Sequence, residues 1–251
     1  MKCVAKANLP INAKIVLIGE KYHEILDKPL KSIGICPIFV PDNPYVDKRL
    51  AGHVDLSLFH YGSNVIAASS YLKGSRLTEL LEDYGFRVAF PRSNQGEIYP
   101  FDADFNLCLF GNNLIYNPKT ANANIVEYLT NLSEYKTLKV KQGYSKCSVC
   151  VVNENAIISS DAGICSRAAE AGISVLKINP GHIELSGFDY GFIGGASFKI
   201  SSDIIAFTGS LDNHPDKASI LEFLCLHNVK PVYITDLPAF DIGSAIQIVE
   251  K

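Results

Sequence analysis

A short alternating apolar strand recurs five times along the chain, as LSLF (56–59), LCLF (107–110), VCVV (149–152), FKIS (198–201) and IQIV (246–249). The steps between copies are 51, 42, 49 and 48 residues. Self-similarity on that scale means one supersecondary unit used repeatedly, with each copy burying its apolar face against the next. A second apolar strand opened by Asn or Asp follows the first four: NVIAAS (64–69), NNLIYN (112–117), NAIISS (155–160) and DIIAFT (203–208). Turn-forming residues between two β-rich runs predict four β-hairpins.

A helical segment follows each hairpin, at 71–84, 120–133, 162–171 and 215–228, and Gly85 and Gly172 stand where a helix commonly ends. A third strand completes each unit: FRVAFP (86–91), YKTLKV (135–140), ISVLKI (173–178) and VKPVYI (229–234). The fifth repeat, IQIV, has no such continuation. The chain instead begins with the pieces it lacks, AKIVLI (13–18), a helix-like KYHEILDKPLKS (21–32) and ICPIFV (35–40). The expected fold is therefore α/β, a five-bladed pseudo-fivefold propeller of ββαβ units in one domain spanning 1–251, with the fifth unit shared by the two termini. Pairing the first and last strands in one blade removes two open sheet edges. An ordinary α/β sandwich with irregular hairpins is the plainer alternative.

With 47% hydrophobic and 20% charged residues the chain is globular in composition, and no Ser-, Pro- or Gly-rich linker divides it. A net charge of −3 with scattered Lys and Arg gives no basic stripe for nucleic acid. The start, MKCVAKANLP, lacks an apolar core of the secretory kind, and no run of 18 apolar residues occurs. The sequence thus predicts a cytoplasmic protein with no membrane or nucleic-acid partner. Seven cysteines at irregular spacing predict free thiols.

In a ring of such units, the residues just ahead of each first strand converge on a central pocket. AGHVD precedes LSLF, and its His53 and Asp55, two apart, share a face if they lie on a strand. On the same reasoning Cys147 points towards the axis and Cys150 into the core. The CxxC they form is a weak metal or redox signal, because positions three apart on a strand face opposite ways.

GHVDLSLF resembles the His-x-Asp strand of the pentein superfamily, the guanidino-group-modifying enzymes that include arginine deiminases, dimethylarginine hydrolases and amidinotransferases. QGYSKCSVCVV is similar to the strand on which those enzymes carry a nucleophilic cysteine. Their order also matches: His-x-Asp, one intervening unit, then Cys. Those enzymes usually end with the Cys unit, whereas here two further units follow, which reads as a circular rearrangement of one ring. The strings GHVD, GYSKCS and GFIGGAS together resemble a bacterial family of that fold with no assigned reaction.

The resemblance implies His53 as general acid/base, Asp55 as a carboxylate gripping the guanidinium, and Cys147 as nucleophile on a small guanidino compound. The reaction is hydrolysis or amidino transfer, with no cofactor and no metal. Paired carboxylates suit a planar guanidinium, and a thiolate can attack its central carbon while an imidazole protonates the departing amine. A second carboxylate is expected from the neighbouring unit, at Asp104 first, with Asp102 and Glu97 as alternatives. Gly194 and Gly195 stand at the axial start of the fourth unit, where backbone can approach a ligand or simply relieve crowding.

His182 and Glu184, in a GHIE that echoes GHVD, are weighed as metal ligands with His53 and Asp55, or as residues of the pocket mouth. Lys146 and Lys199 would repel a guanidinium if they point inward, though a nearby cation would also lower the Cys147 pKa. Cys147 is accordingly expected to be the most reactive thiol. A non-catalytic, binding use of the fold, as in a ribosome-associated translation initiation factor, is the alternative function.

Overall fold

Turn residues decide where each hairpin folds back. Gly62 (φ +97°) and Ser63 (φ +53°) join the strands Leu58–Gly62 and Val65–Ala68, and Gly111 (φ +51°) helps join Cys108–Phe110 to Asn113–Tyr116. The strands Cys150–Asn153 and Ala156–Ser159, and Ser197–Lys199 and Ile204–Phe207, pair antiparallel in the same way. In each unit the chain then crosses through a helix and returns as a third strand parallel to the second: Arg87–Ala89, Lys136–Lys139, Ser174–Lys177 and Lys230–Tyr233. This computed structural model describes residues 1–132 and 134–251, so Ser133, the expected end of one helix, lies outside the described residues.

The fifth sheet joins the two ends of the chain. Ile246–Glu250 runs antiparallel to Ala13–Gly19, with Ile246 opposite Leu17, and Ala13–Gly19 lies parallel to Cys36–Val40. A fourth strand, Lys2–Cys3, pairs on the other side of Ile246–Glu250, which the sequence does not signal. The result is mixed α/β with five small, separate sheets.

Of the four helices expected after the hairpins, three start later, at Arg76, Ala123 and Lys217, and the fourth starts at Ala162 as expected. Segment 71–84 becomes a 3-10 turn, Ser70–Leu72, and a helix, Arg76–Asp83, because Gly74 takes φ +72° and the Ser75 hydroxyl caps the new start by accepting from Thr78 N. Asn122 and Asp161 likewise cap Ala123–Asn131 and Ala162–Glu170. The crossover helices of the other two units are His23–Ser32 and Lys217–Leu226. Gly85 and Gly172 take φ +86° and +82° just beyond their helices, the left-handed geometry that a C-terminal stop requires.

Every one of these five helices buries an i, i+4 pair: Leu26 and Leu30, Leu77 and Leu81, Ile125 and Leu129, Ile164 and Ala168, Ile220 and Leu224. Each pair enters a core cluster that spans two sheets. Leu77 and Leu81 pack with Ile66 of one hairpin and with Leu17 and Ile248 of the terminal sheet. Ile220 and Leu224 bridge Phe207 and Val152. The other clusters link the sheets of Phe59 and Leu109, of Phe110 and Val151, and of Val16 and Phe198. Among the described residues no helix is long and apolar enough to cross a membrane.

Candidate active site

The residues ahead of the first strands do not continue those strands. Val54–Leu56 forms a 3-10 turn and the strand starts only at Leu58; Ser145–Ser148 is a one-turn helix and its strand starts at Cys150. Strand alternation therefore does not place His53, Asp55 and Cys147. The turns do, by winding side chains from two parts of the chain to one point. Their donor atoms all lie within 4.8 Å of one another, and all three residues are buried.

Cys147 Sγ donates to Asp55 Oδ2 at 2.9 Å and accepts from Asn106 Nδ2 at 3.3 Å. The other end of that amide, Asn106 Oδ1, accepts from the backbone N–H groups of Lys146 and Cys147 at 2.7 and 3.2 Å, so one side chain holds both the thiol and its helical turn. Burial first, then the charges of Asp55 and Asp241, push the Cys147 thiol well above its usual range. Burial likewise raises Asp55 to about 7, against the lowering effect of its contact with Cys147 and of the Lys146 charge. Burial lowers His53, and Asp241 partly opposes this. The imidazole is neutral near pH 7.

Asp241 is the carboxylate that sequence reasoning missed. Its Oδ1 stands 3.9 Å from His53 Nδ1, and its two oxygens accept from Gly243 N at 2.9 Å and Phe192 N at 2.8 Å. The turn carrying it passes against His53: a Cβ on Gly243 (φ +69°) would overlap His53 Cβ, and Ser244 is held at φ +63°. His53, Cys147 and Asp241 line a cavity of about 260 Å³ together with Tyr144, Leu56 and Phe192.

The other expected site residues lie elsewhere. Asp104 is tied to Ser93 Oγ at 2.6 Å and Asn122 Nδ2 at 3.2 Å, fastening a loop to a helix start, and burial raises it to about 6. Asp102 accepts from the Tyr144 hydroxyl at 2.5 Å, behind a wall residue of the cavity, and Glu97 is exposed on its loop. Gly194 and Gly195 do not line the cavity but let segments of the chain pack closely. Gly195 N donates to Cys147 O, and a Cβ on Gly194 would overlap Val149 O, while one on Gly195 would overlap the Asp241 carboxylate.

Lys146 turns away to donate to Ser244 Oγ at 2.7 Å, and Lys199 donates to Ser202 O, lining a different cavity. Among the described residues His182 and Glu184 join no metal-binding cluster; His182 packs beside His214 at 5.3 Å between ring centroids. His53, Asp55 and Cys147 form a mixed N, O and S donor set that a zinc-like ion could use, but Asp55 Oδ2 already holds the thiol hydrogen. Cys150 sits in the core, away from Cys147.

Comparison with known proteins gives fold without reaction. The amidinotransferase SxtG of the saxitoxin pathway of Microseira wollei matches with a TM-score of 0.62 at 10% identity, covering 99% of this chain and 97% of that one. Inosamine-phosphate amidinotransferase of Streptomyces griseus matches at 0.57 and 10% identity, over 100% and 98% of the two chains. The agmatine deiminase of C. jejuni matches at 0.54 and 8% identity, over 100% and 97%. All are proteins of the pentein fold. No curated protein sequence matches the chain. A family profile described as "Family of unknown function (DUF6873)" matches residues 17–246, nearly the whole chain. The chain therefore belongs to that family, and its fold is the pentein fold of the guanidino-group-modifying enzymes.

Proposed function

We propose that this chain is a cysteine-dependent guanidino-group-modifying enzyme, a hydrolase or amidinotransferase acting on a small guanidino compound in the cytoplasm. The supporting observation is the 2.9 Å contact of Cys147 Sγ with Asp55 Oδ2, with His53 beside them on the same cavity as Cys147. In this reading the five sheets are the blades of a single propeller domain, a reading supported by core clusters that link each sheet to the next and the last to the first.

Charge explains why a guanidinium belongs here. Asp55 and Asp241 are buried beside a thiol that burial first, and then their charges, hold protonated. A docked cation balances both carboxylates and lowers the pKa of the thiol at the moment it is needed. His53 lines the cavity and its Nε2 has no hydrogen-bond partner among the described residues, so it has capacity for a ligand; Asp55 Oδ1 is also unpartnered, although Asp55 lines a separate, smaller cavity.

The thiol proton passes to His53 as the Sγ–C bond forms at the guanidinium carbon. His53 then gives that proton to the departing nitrogen as its C–N bond breaks, leaving a covalent thiouronium on Cys147. Next His53 takes a proton from water, or from an acceptor amine, as the oxygen or nitrogen adds to the same carbon. The Sγ–C bond breaks and a proton returns to the sulfur. Water gives a urea-type product and ammonium or an alkylammonium ion; an amine gives a new guanidine.

The test is incubation with arginine, agmatine and methylated arginines, reading ammonia, amine or transferred amidine. Turnover should vanish in Cys147→Ala. Binding without turnover on any guanidine would favour the non-catalytic use of the fold instead.

A further inference from the structure

We infer that the cavity takes a guanidino cation whose other end carries no carboxylate, on a short and mostly apolar chain. The inference rests on the function proposed above and narrows its substrate class.

The lining of the cavity carries the argument. Its charged members are Asp241 and Asp189, and among the described residues no lysine or arginine lines it. The rest of its surface is largely hydrocarbon and aromatic, from Leu50, Leu56, Leu185, Phe188 and Phe192. An amino-acid carboxylate placed there would lose its hydration against apolar walls and meet another carboxylate at Asp189, with no cation to offset either cost.

The cations that stand nearby are already engaged. Lys146 donates to Ser244 Oγ and lines a separate cavity, and Lys21 Nζ donates to the carbonyl of Arg49 at 2.9 Å. Arg49 is forked onto Asp47, donates to Gly187 O at 2.8 Å, and lies 4.2 Å over the face of Phe188. Freeing it for a substrate would break both the ion pair and the stacking.

Size points the same way. At about 260 Å³ the cavity falls below the range of about 300–1,000 Å³ usual for drug-sized ligands, so the occupant is a guanidinium with a few methylenes. Asp189, exposed at the mouth, can face either solvent or a second amino cation, so agmatine and n-butylguanidine both fit the description.

The experiment measures binding to the Cys147→Ser protein by calorimetry, with n-butylguanidine, agmatine, arginine and n-butylamine as probes. Both carboxylate-free guanidines should bind at least about tenfold more tightly than arginine. Asp189→Asn should narrow the gap between n-butylguanidine and arginine. The same order should appear as melting-temperature shifts of the wild-type protein, which guards against a misfolded variant. Arginine binding as tightly as n-butylguanidine would overturn this inference and leave the proposed function standing. Failure of every guanidine to bind, or n-butylamine matching n-butylguanidine, would overturn both.

Discussion

Cys147 and Asp55 share a 2.9 Å hydrogen bond between two buried groups, each of which becomes an anion on ionising. Asp55 is raised from 3.8 to about 7, chiefly by burial. A carboxyl whose folded pKa is raised contributes stability at low pH that is lost as pH rises through the folded value. Asp55→Asn removes that loss, so at pH 8 the variant should be more stable than wild type by about 2–4 kcal/mol, and the difference should shrink by pH 5. Urea unfolding at both pH values checks this. An equal difference at the two would contradict it.

The same pair sets thiol reactivity. Cys147 is 2% exposed and held protonated, whereas Cys36 and Cys225 are exposed. Contrary to the expectation from sequence, iodoacetamide near neutral pH should label Cys36 and Cys225 before Cys147. In Asp55→Asn, labelling of Cys147 should shift to lower pH, because one of the charges raising the thiol is gone. Mass mapping across a pH series reads both effects.

Asp241 stands 3.9 Å from His53 and its charge raises the imidazole pKa against the larger lowering effect of burial. On a guanidine that the enzyme turns over, Asp241→Asn should lower kcat by about 10²-fold or more. Its acidic limb, where His53 takes up a proton, should move to lower pH. An unchanged pH profile would remove Asp241 from this role.

Gly195→Ala tests the packing behind the site. The added Cβ must displace the Asp241 carboxylate, so activity should fall far more than the melting temperature does. Leu81→Ala, remote from the cavity, should do the reverse, costing about 2–5 kcal/mol of stability with catalytic constants preserved in the folded fraction.

Much of the fold was legible because each unit repeats one pattern of apolar alternation, turn residue and helix stop. The site was less so. LSLF looks like an unbroken strand and SKCS like the lead-in to VCVV, yet Leu56 and Ser57 belong to a turn and Ser145–Ser148 is one turn of helix. Periodicity does not separate an axial turn from the strand it feeds when the turn residues, polar as many are, are buried too. Asp241 opens the DIGSA ahead of IQIV, much as Asp55 closes the AGHVD ahead of LSLF, but no His-x-Asp spacing marks it. Asn106, which holds the thiol, occupies the equivalent place ahead of LCLF and was passed over for Asp102 and Asp104. The wall built from residues 185–192 carries no repeat signal at all.

Leu17 pairs with Ile246, so a sheet that begins near the first residues is finished only by the last strand. While the chain is being synthesised, four hairpin units can close in turn from local contacts. The strands Ala13–Gly19 and Cys36–Val40 must wait, with the apolar face of Ile15 and Leu17 and an unpaired edge open to other chains. That interval is when the chain is most exposed to edge-to-edge aggregation.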